Sequence, residues 1–150
     1  MGAVTDLSAF AALVPLDHGL CTLSTLRRDG SVQSTVINAG VLEHPLRRGQ
    51  QVVGLVAIGG SRKLQNLRAD RRATIVVRGG WRWATVEGEA EIIGPDDPHP
   101  AVDAEALRIL LRDVFKAAGG THDDFATYDR VMAQERRAAV LITPRRVYTA

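Results

Sequence analysis

The chain of 150 residues has one cysteine, Cys21, and only two lysines, Lys63 and Lys116. A single cysteine excludes an intrachain disulfide, so a reducing, cytoplasmic location is the expectation. Cys21 stands in an apolar stretch, which predicts a small buried residue and not a reactive thiol. Because arginine supplies nearly all of the positive charge, the lysine at position 63 is more noticeable than it would be in a lysine-rich chain.

Long apolar segments are also missing. The longest apolar run, 52–58, is much too short to span a bilayer. Residues 7–16 are apolar, but they lack the basic flank and the cleavage signature of a signal peptide. An apolar content of 45% and a charged content of 24% are ordinary for a soluble globular protein. The length predicts a single domain over residues 1–150.

The common motifs of catalysis and metal binding do not occur. There is no nucleophile elbow, no Walker loop, no Gly-x-Gly-x-x-Gly, and no paired His or Cys at a metal-binding spacing. No metal site is therefore expected. The basic residues form isolated pairs without a clustered stripe, which argues against nucleic-acid binding. These pairs are Arg27-Arg28, Arg47-Arg48, Arg71-Arg72, Arg136-Arg137 and Arg145-Arg146.

The pattern of β-prone segments predicts a mainly β fold. Two such segments, 20–28 and 31–42, flank Asp29-Gly30, and this arrangement is a strong hairpin signal. An apolar strand over 52–58 is expected to be central, and further strands are predicted at 73–77, 81–93 and 137–148, with helices between them. We therefore predict an α+β fold, a small six-stranded antiparallel barrel with peripheral helices.

The segment 81–93 shows the clearest alternation. Small and apolar residues occupy one face, while Trp81 and Trp83 share the other face with three glutamates. Half-exposed indoles of this kind cover a subunit interface, stack on a planar ligand, or pack under a loop. The sequence leaves these alternatives open.

A helix start with two cations follows the apolar strand, in the string Gly59-Gly-Ser-Arg-Lys63. The N-terminus of a helix already carries partial positive charge, so Arg62 and Lys63 are unfavourable there unless an anion is present. A strand that leads through glycines into a helix is a common phosphate site. The alternative is that both side chains are solvated surface charges.

Several strings, taken in order, resemble the split-barrel family typified by pyridoxamine 5′-phosphate oxidase, and within it the flavin/deazaflavin (F420)-dependent oxidoreductases of subgroup B. The resemblance covers nearly the whole chain. Its carriers are Thr25–Gly30, Arg62-Lys63, Asn66–Ala73, Gly80-Trp81, Val86–Gly88, Thr121–Phe125, and the closing segment from Arg136-Arg137 to Arg146–Tyr148.

The resemblance implies a split barrel of the FMN-binding type that forms homodimers, with noncovalent cofactor sites between the subunits. Lys63 falls on the lysine that contacts the cofactor phosphate in the family. Relatives often carry arginine where this chain has Ser61, so the second phosphate partner stays open between Ser61 and Arg62. The other residues implied for the cofactor site are Gln33, Ser34, Thr35, Val36, Val56, Ala57, Ile58, Gly59 and Trp81.

The expected function is that of an oxidoreductase that uses coenzyme F420 to transfer a hydride to or from a planar conjugated small molecule. Because F420 has a phosphodiester and a polyglutamate tail, the extra cations Arg62, Lys63 and Arg68 favour it over FMN. The cofactor would carry the reactivity, so no catalytic residue is assigned. Alternatives are an FMN-dependent enzyme, a non-catalytic cofactor carrier, and a haem-binding protein with His18 or His44 as axial ligand.

Overall fold

The computed structural model describes residues 4–150 as a six-stranded barrel with four α-helices. This architecture confirms the predicted α+β, mainly β fold. The helices are α1 Ser8–Leu13, α2 Arg62–Ala69, α3 Ala104–Ala117 and α4 Phe125–Gln134, and a 3₁₀ turn, Val14–Asp17, follows α1. The strands are β1 Leu20–Leu26, β2 Val32–Glu43, β3 Gln51–Ala57, β4 Arg72–Gly79, β5 Arg82–Ile93 and β6 Ala138–Thr149.

The strands form a closed antiparallel barrel in the order β1-β2-β3-β6-β5-β4, and β4 pairs back with β1. The first hairpin turns where the sequence predicts it. The Asp29 carboxylate accepts a hydrogen bond of 2.9 Å from the Ser31 N–H, and Gly30 adopts a φ of +85°, which favours glycine. Turn chemistry and strand propensity therefore agree at this point.

Alternate residues of the strands fill the barrel interior, and its largest fully buried side chains include Leu23, Leu55 and Ile75. Phe10 of α1 packs into the same core and is completely buried. A second apolar cluster forms outside the barrel, where Leu111 and Val114 of α3 cover β3 and β6. The period-two pattern of the strands and the 3.6-residue pattern of α3 thus build two cores that share the same sheet.

Strands β2 and β3 pair over only part of their lengths. The pairing runs from Ala39 to Glu43 in β2 and from Gln51 to Leu55 in β3. Before Ala39, β2 pairs only with β1, and after Leu55, β3 pairs only with β6. The two strands therefore part at the end of the barrel where β3 leads towards α2, and a gap opens between them.

Helix α3 lies directly against a pair of glycines in the part of the sheet where β2 and β3 are joined. Gly40 of β2 is paired with Gly54 of β3. A Cβ atom at Gly40 would overlap the backbone carbonyl of Ala117, at the end of α3. The absence of a side chain at Gly40 is what allows the helix backbone to approach the strand this closely.

The tryptophans differ in part from the expectation. Strand β5 begins at Arg82, so Trp81 lies in the preceding turn, where its side chain is 97% exposed. Trp83 is on the strand and meets Tyr148 edge to face, with ring centroids 6.2 Å apart. The alternation is confirmed from Val86 to Glu91, since Val86, Gly88 and Ala90 are buried while Glu87, Glu89 and Glu91 are partly exposed. Thr85, on the side expected to be polar, is also buried.

Among residues 4–150, no helix combines the length and the apolar character needed to cross a membrane. The buried position of Cys21 is confirmed, with 3% exposure. Burial raises the pKa of the Cys21 thiol to about 12.

Candidate functional site

The gap between β2 and β3 is a groove of about 370 Å³ whose walls are largely apolar. Val36 of β2 stands on one side and Val56 of β3 on the other, so the two strand segments predicted for the site are brought together. Val36 is 67% exposed, which is unusual for a valine in the middle of a strand. The helices close the groove with Phe115 of α3 and with Tyr128, Met132 and Arg137 in and after α4.

The first half of β2 offers backbone groups to this gap as well as side chains. Within the described part of the chain, residues 32–38 have a strand partner on one side only, namely β1. Alternate N–H and C=O groups of a strand point to its two edges, so the edge next to the gap carries hydrogen-bonding groups that no strand satisfies. Such an edge is suited to forming hydrogen bonds with polar atoms along the edge of a flat ligand.

Ser61 is the N-cap residue of α2 but does not cap it. N-cap serines normally accept a hydrogen bond from the second or third N–H of the helix. The Ser61 hydroxyl makes no such bond, and it is the one buried side-chain polar atom in residues 4–150 that lacks a hydrogen-bond partner. A buried hydroxyl without a partner costs free energy, so its presence at a helix N-terminus fits a site for an anionic group.

Lys63 lies two residues further along the chain and is partly buried. Burial lowers the pKa of its ammonium group, and the positive charge of Arg137 lowers it further. Desolvation is the larger of the two effects, since the Arg137 guanidinium is itself paired with Glu135 at 3.1 Å. An anion beside Lys63 would offset both effects. The pKa shift, the unbonded Ser61 hydroxyl and the helix dipole therefore point to the same small region.

Arg137 is a member of this region that sequence reasoning missed. Its Nε donates a 3.1 Å hydrogen bond to Glu135, and its side chain lines the gap beside Met132. In the sequence it is one of five similar arginine pairs, and nothing there separates it from the others. Only the fold, which joins the start of β6 to the end of β3, brings it near Lys63.

The two other cations of α2 have different surroundings. Arg62 is exposed and lines a separate groove on the outer side of the helix. Arg68 is bound to the Asp97 carboxylate through two hydrogen bonds of 2.9 and 2.6 Å. The sequence argument counted Arg68 as surplus positive charge, and this was wrong because Asp97 neutralises it.

A buried amide fixes α2 against the barrel. Asn66 donates from its Nδ2 to the Thr25 hydroxyl at 3.1 Å and to the Gln33 side-chain oxygen at 3.0 Å. Gln33 therefore faces α2, while its neighbours Ser34 and Val36 are exposed. These hydrogen bonds fix the start of β2, which contains the predicted residues 33–36, against the helix that begins after Ser61 and contains Lys63.

The last residues of the predicted β3 segment differ in burial. Ala57 is buried inside the barrel, while Ile58 is 41% exposed. Gly59 donates a backbone hydrogen bond of 3.0 Å to Glu135, and a Cβ there would be 2.7 Å from the carbonyl oxygen of Arg136. Gly59 thus allows the strand end to lie directly against the α4–β6 connection.

Trp81 does not join these residues within one chain. Strand β4 leads away from α2 for eight residues before the turn that carries Trp81. The indole instead borders a small cavity of about 170 Å³ between α1 and the end of β6, together with Leu13 and Thr149. Lys63 and Trp81 are therefore at opposite ends of the barrel.

His44 is buried and both of its ring nitrogens are engaged. Its Nδ1 accepts a 3.0 Å hydrogen bond from the Leu46 N–H, which leaves the proton on Nε2 to donate to Glu91 at 3.0 Å. Burial opposes ionisation of Glu91, but the contacts with His44 and Arg47 outweigh it and lower its pKa. His44 has no free nitrogen for a haem iron. No group of three or more His, Cys, Asp or Glu side chains in residues 4–150 could hold a metal ion.

The substitution Ser61→Ala is expected to leave the stability of the protein almost unchanged. Removal of a normal N-cap serine costs about 1 kcal/mol. Here the hydroxyl makes no capping bond and is buried without a partner, so the free energy of unfolding should fall by less than about 0.5 kcal/mol. Urea denaturation measures this change, and a loss above about 1 kcal/mol would show that the hydroxyl already has a structural partner.

A closed six-stranded antiparallel barrel whose strands β2 and β3 part beside a helix defines the FMN-binding split-barrel class. A sequence model described as pyridoxamine 5′-phosphate oxidase matches residues 8–150. The chain therefore belongs to the pyridoxamine 5′-phosphate oxidase-like family, which confirms the resemblance noted in the sequence at the level of the family.

Solved structures with low sequence identity share this fold. A conserved hypothetical protein of Mycobacterium tuberculosis is 23% identical, with a TM-score of 0.66, 98% of this chain and 85% of that chain being covered. A protein named F420 reductase is 16% identical, with a TM-score of 0.61 and coverage of 91% and 94%. An FMN-binding protein of Nostoc punctiforme is 14% identical, with a TM-score of 0.63 and coverage of 99% and 86%. These likenesses establish the fold.

Proposed function

We propose that this protein is a cytoplasmic, F420-dependent oxidoreductase that transfers a hydride between the deazaflavin and a planar conjugated small molecule. The observation that carries the proposal is the buried Ser61 hydroxyl without a partner, beside the partly buried Lys63 at the start of α2. This region fits a phosphate group, and Arg137, whose charge acts on Lys63, also lines the groove, which is of suitable size for a flat ring. When bound, the cofactor supplies the hydride chemistry.

The residues of the chain would then bind the cofactor, orient its ring and shield the ring from water. Ser61 and Lys63 would hold the phosphate together with the first N–H groups of α2, and Arg137 would add a second cation. The segments Gln33–Val36 and Val56–Gly59 would border the ring from the two sides of the gap. The apolar side chains that close the groove would exclude water from the reacting faces.

A homodimer is part of this proposal. The first half of β2, before the part that α3 covers at Gly40, exposes Val32 by 57% and Val36 by 67%. Exposed apolar residues grouped on one sheet face are typical of an interaction surface. A second copy of the chain on this face would complete the open side of the groove. In such a dimer, the Trp81 of one subunit would lie near the cofactor site of the other subunit.

The likeness to a protein named F420 reductase and to an FMN-binding protein supports a flavin-type cofactor. FMN would use the same phosphate region, so an FMN-dependent enzyme is the alternative within the same fold. A carrier that binds the cofactor without turnover would need the same groove.

Titration of the purified protein with F420 and with FMN tests the proposal. We expect saturable binding of F420, weaker binding of FMN, one cofactor per chain, and two chains per particle in sedimentation. Binding of neither cofactor would overturn the proposal, and tighter binding of FMN would establish the alternative. Reduced F420 mixed with quinones and nitro compounds should then be oxidised in the presence of the protein, whereas a carrier would bind F420 and show no turnover.

A further inference from the structure

A cavity of about 390 Å³ lies between helices α3 and α4. Leu107 and Leu111 of α3 line it on one side, and Met132 and Ala133 of α4 line it on the other. Pro95, in the loop after β5, also borders it, so most of its wall is apolar. The volume and the apolar wall are typical of small-molecule sites in proteins.

Hydrogen bonds between the two helices fix the width of this interhelical cavity. Asp129 of α4 accepts hydrogen bonds from the Nε of Arg112 at 2.9 Å and from the Nη1 of Arg108 at 3.1 Å. The Tyr128 hydroxyl donates a 3.0 Å hydrogen bond to the backbone carbonyl of Leu111. Because α4 could move into the cavity only by breaking these bonds, the space is a fixed part of the structure.

The connection that follows α4 is fixed as well. Arg136, which lines the cavity, has a φ of +50°, in the left-handed region that few residues other than glycine adopt. Its Nε donates a 3.0 Å hydrogen bond to Asp96, and its carbonyl oxygen lies so close to Gly59 that no Cβ would fit there. Strained residues of this kind persist only where the surroundings hold them, and they are frequent at ligand sites.

The charged side chains around the cavity all have partners within the chain. The ion pairs are Arg108 with Asp129, Arg136 with Asp96, and Arg137 with Glu135. A charged ligand would therefore lose its hydration without gaining a free counter-charge, and this costs free energy. The cavity favours an uncharged occupant.

The interhelical cavity and the gap between β2 and β3 are neighbours. Met132 and Arg137 line both spaces, so these two side chains form a shared wall. A molecule in the cavity would thus lie beside a ring in the gap without taking its place. The thioether of Met132 also suits an aromatic occupant, because sulfur makes favourable contacts with aromatic rings.

We propose that the interhelical cavity is a second binding site, for a small, uncharged, apolar aromatic compound. The proposal combines the volume, the fixed apolar walls and the paired charges of the rim. It goes beyond the proposed function, because it concerns a site next to the cofactor gap and does not depend on which cofactor that gap holds.

Titration with two related fluorophores tests the class of ligand. N-phenylnaphthylamine is uncharged, and anilinonaphthalene sulfonate has the same rings with an added negative charge. We expect saturable binding of one N-phenylnaphthylamine per chain and binding of the sulfonate that is about tenfold weaker. Equal or tighter binding of the sulfonate, or no binding of the uncharged probe, would overturn the proposal.

A variant that fills the cavity tests the location. Ala133 is exposed on α4 and lines the cavity, so Ala133→Trp should occupy the space and weaken binding of N-phenylnaphthylamine about tenfold or more. Ala126→Trp is the matched control, because Ala126 is an exposed alanine of the same helix outside the lining, and it should bind within about twofold of the unchanged protein. If circular dichroism shows that Ala133→Trp is unfolded, Ala104→Trp fills the cavity from α3. Unweakened binding in a folded filling variant would overturn the proposal.

Equilibrium dialysis with F420 separates this site from the cofactor gap. Saturating F420 should leave N-phenylnaphthylamine bound, and its displacement would place the probe in the gap and overturn the proposal. Binding of the probe without binding of F420 or FMN would overturn the proposed function alone, and binding of F420 without the probe would overturn this proposal alone. If Ala133→Trp changes the number of chains per particle and leaves probe binding intact, the cavity faces another copy of the chain and the proposal is wrong.

Discussion

Substitution of Lys63 by alanine is expected to weaken cofactor binding by about 1–3 kcal/mol, which corresponds to about 5- to 150-fold in the dissociation constant. Lys63 is partly buried beside Arg137 and the unbonded Ser61 hydroxyl, so its ammonium group is the strongest candidate for a direct bond to an anion. Fluorescence titration with F420 measures the effect. An unchanged dissociation constant would make Lys63 a solvated surface charge.

The chain offers a matched control in its other lysine. Lys116 is exposed on α3, with its Nζ 5.1 Å from the centre of the Phe125 ring. We expect Lys116→Ala to change the affinity by less than about twofold.

The affinity for the cofactor should also depend on pH, because it depends on the protonation of Lys63. Only the protonated ammonium binds an anion well, and burial with Arg137 lowers the pKa of Lys63. Binding should therefore weaken as the pH rises, at a lower pH than for an ordinary lysine. Lys63→Arg keeps its charge and should abolish this dependence.

Substitution of Gly40 by alanine is expected to destabilise the protein by about 3 kcal/mol or more. The added Cβ would overlap the carbonyl of Ala117, and both atoms belong to regular elements that cannot move apart without opening the second apolar core. Thermal and urea denaturation measure the loss. Stability within about 1 kcal/mol of the unchanged protein would show that α3 shifts freely on the sheet.

The paired glycine, Gly54, provides the comparison. A Cβ at Gly54 would come within 2.7 Å of the end of the Leu42 side chain, which is flexible, and not of a backbone atom. Because a side chain rotates more easily than a helix moves, Gly54→Ala should cost clearly less than Gly40→Ala. Since the two residues face each other across β2 and β3, the pair separates backbone overlap from general crowding.

The barrel itself could be predicted from local patterns in the sequence. The Asp29-Gly30 turn, the alternation along β5 and the apolar β3 each reflect a period or a turn that depends on neighbouring residues only. The same is true of the helix start at Ser61, Arg62 and Lys63, because cap position and strand-to-helix order are local features.

The composition of the charged regions could not be predicted in the same way. The neutralisation of Arg68 by Asp97 and the approach of Arg137 to Lys63 are contacts between distant parts of the chain. They depend on which strands are neighbours in the barrel, and local patterns in the sequence do not reveal that pairing. The position of Trp81 was missed for a smaller reason, a strand start that lies one residue later than expected.

The buried thiol of Cys21 allows opening of the barrel to be measured by chemical labelling. It is the one cysteine in the chain, and burial raises its pKa to about 12, so almost no thiolate is present in the folded protein at neutral pH. A thiol reagent reacts with it only when β1 separates from its neighbours. The rate at which Cys21 is labelled therefore measures how often the barrel opens. A cofactor that contacts β2, β3 and α2 should lower this rate.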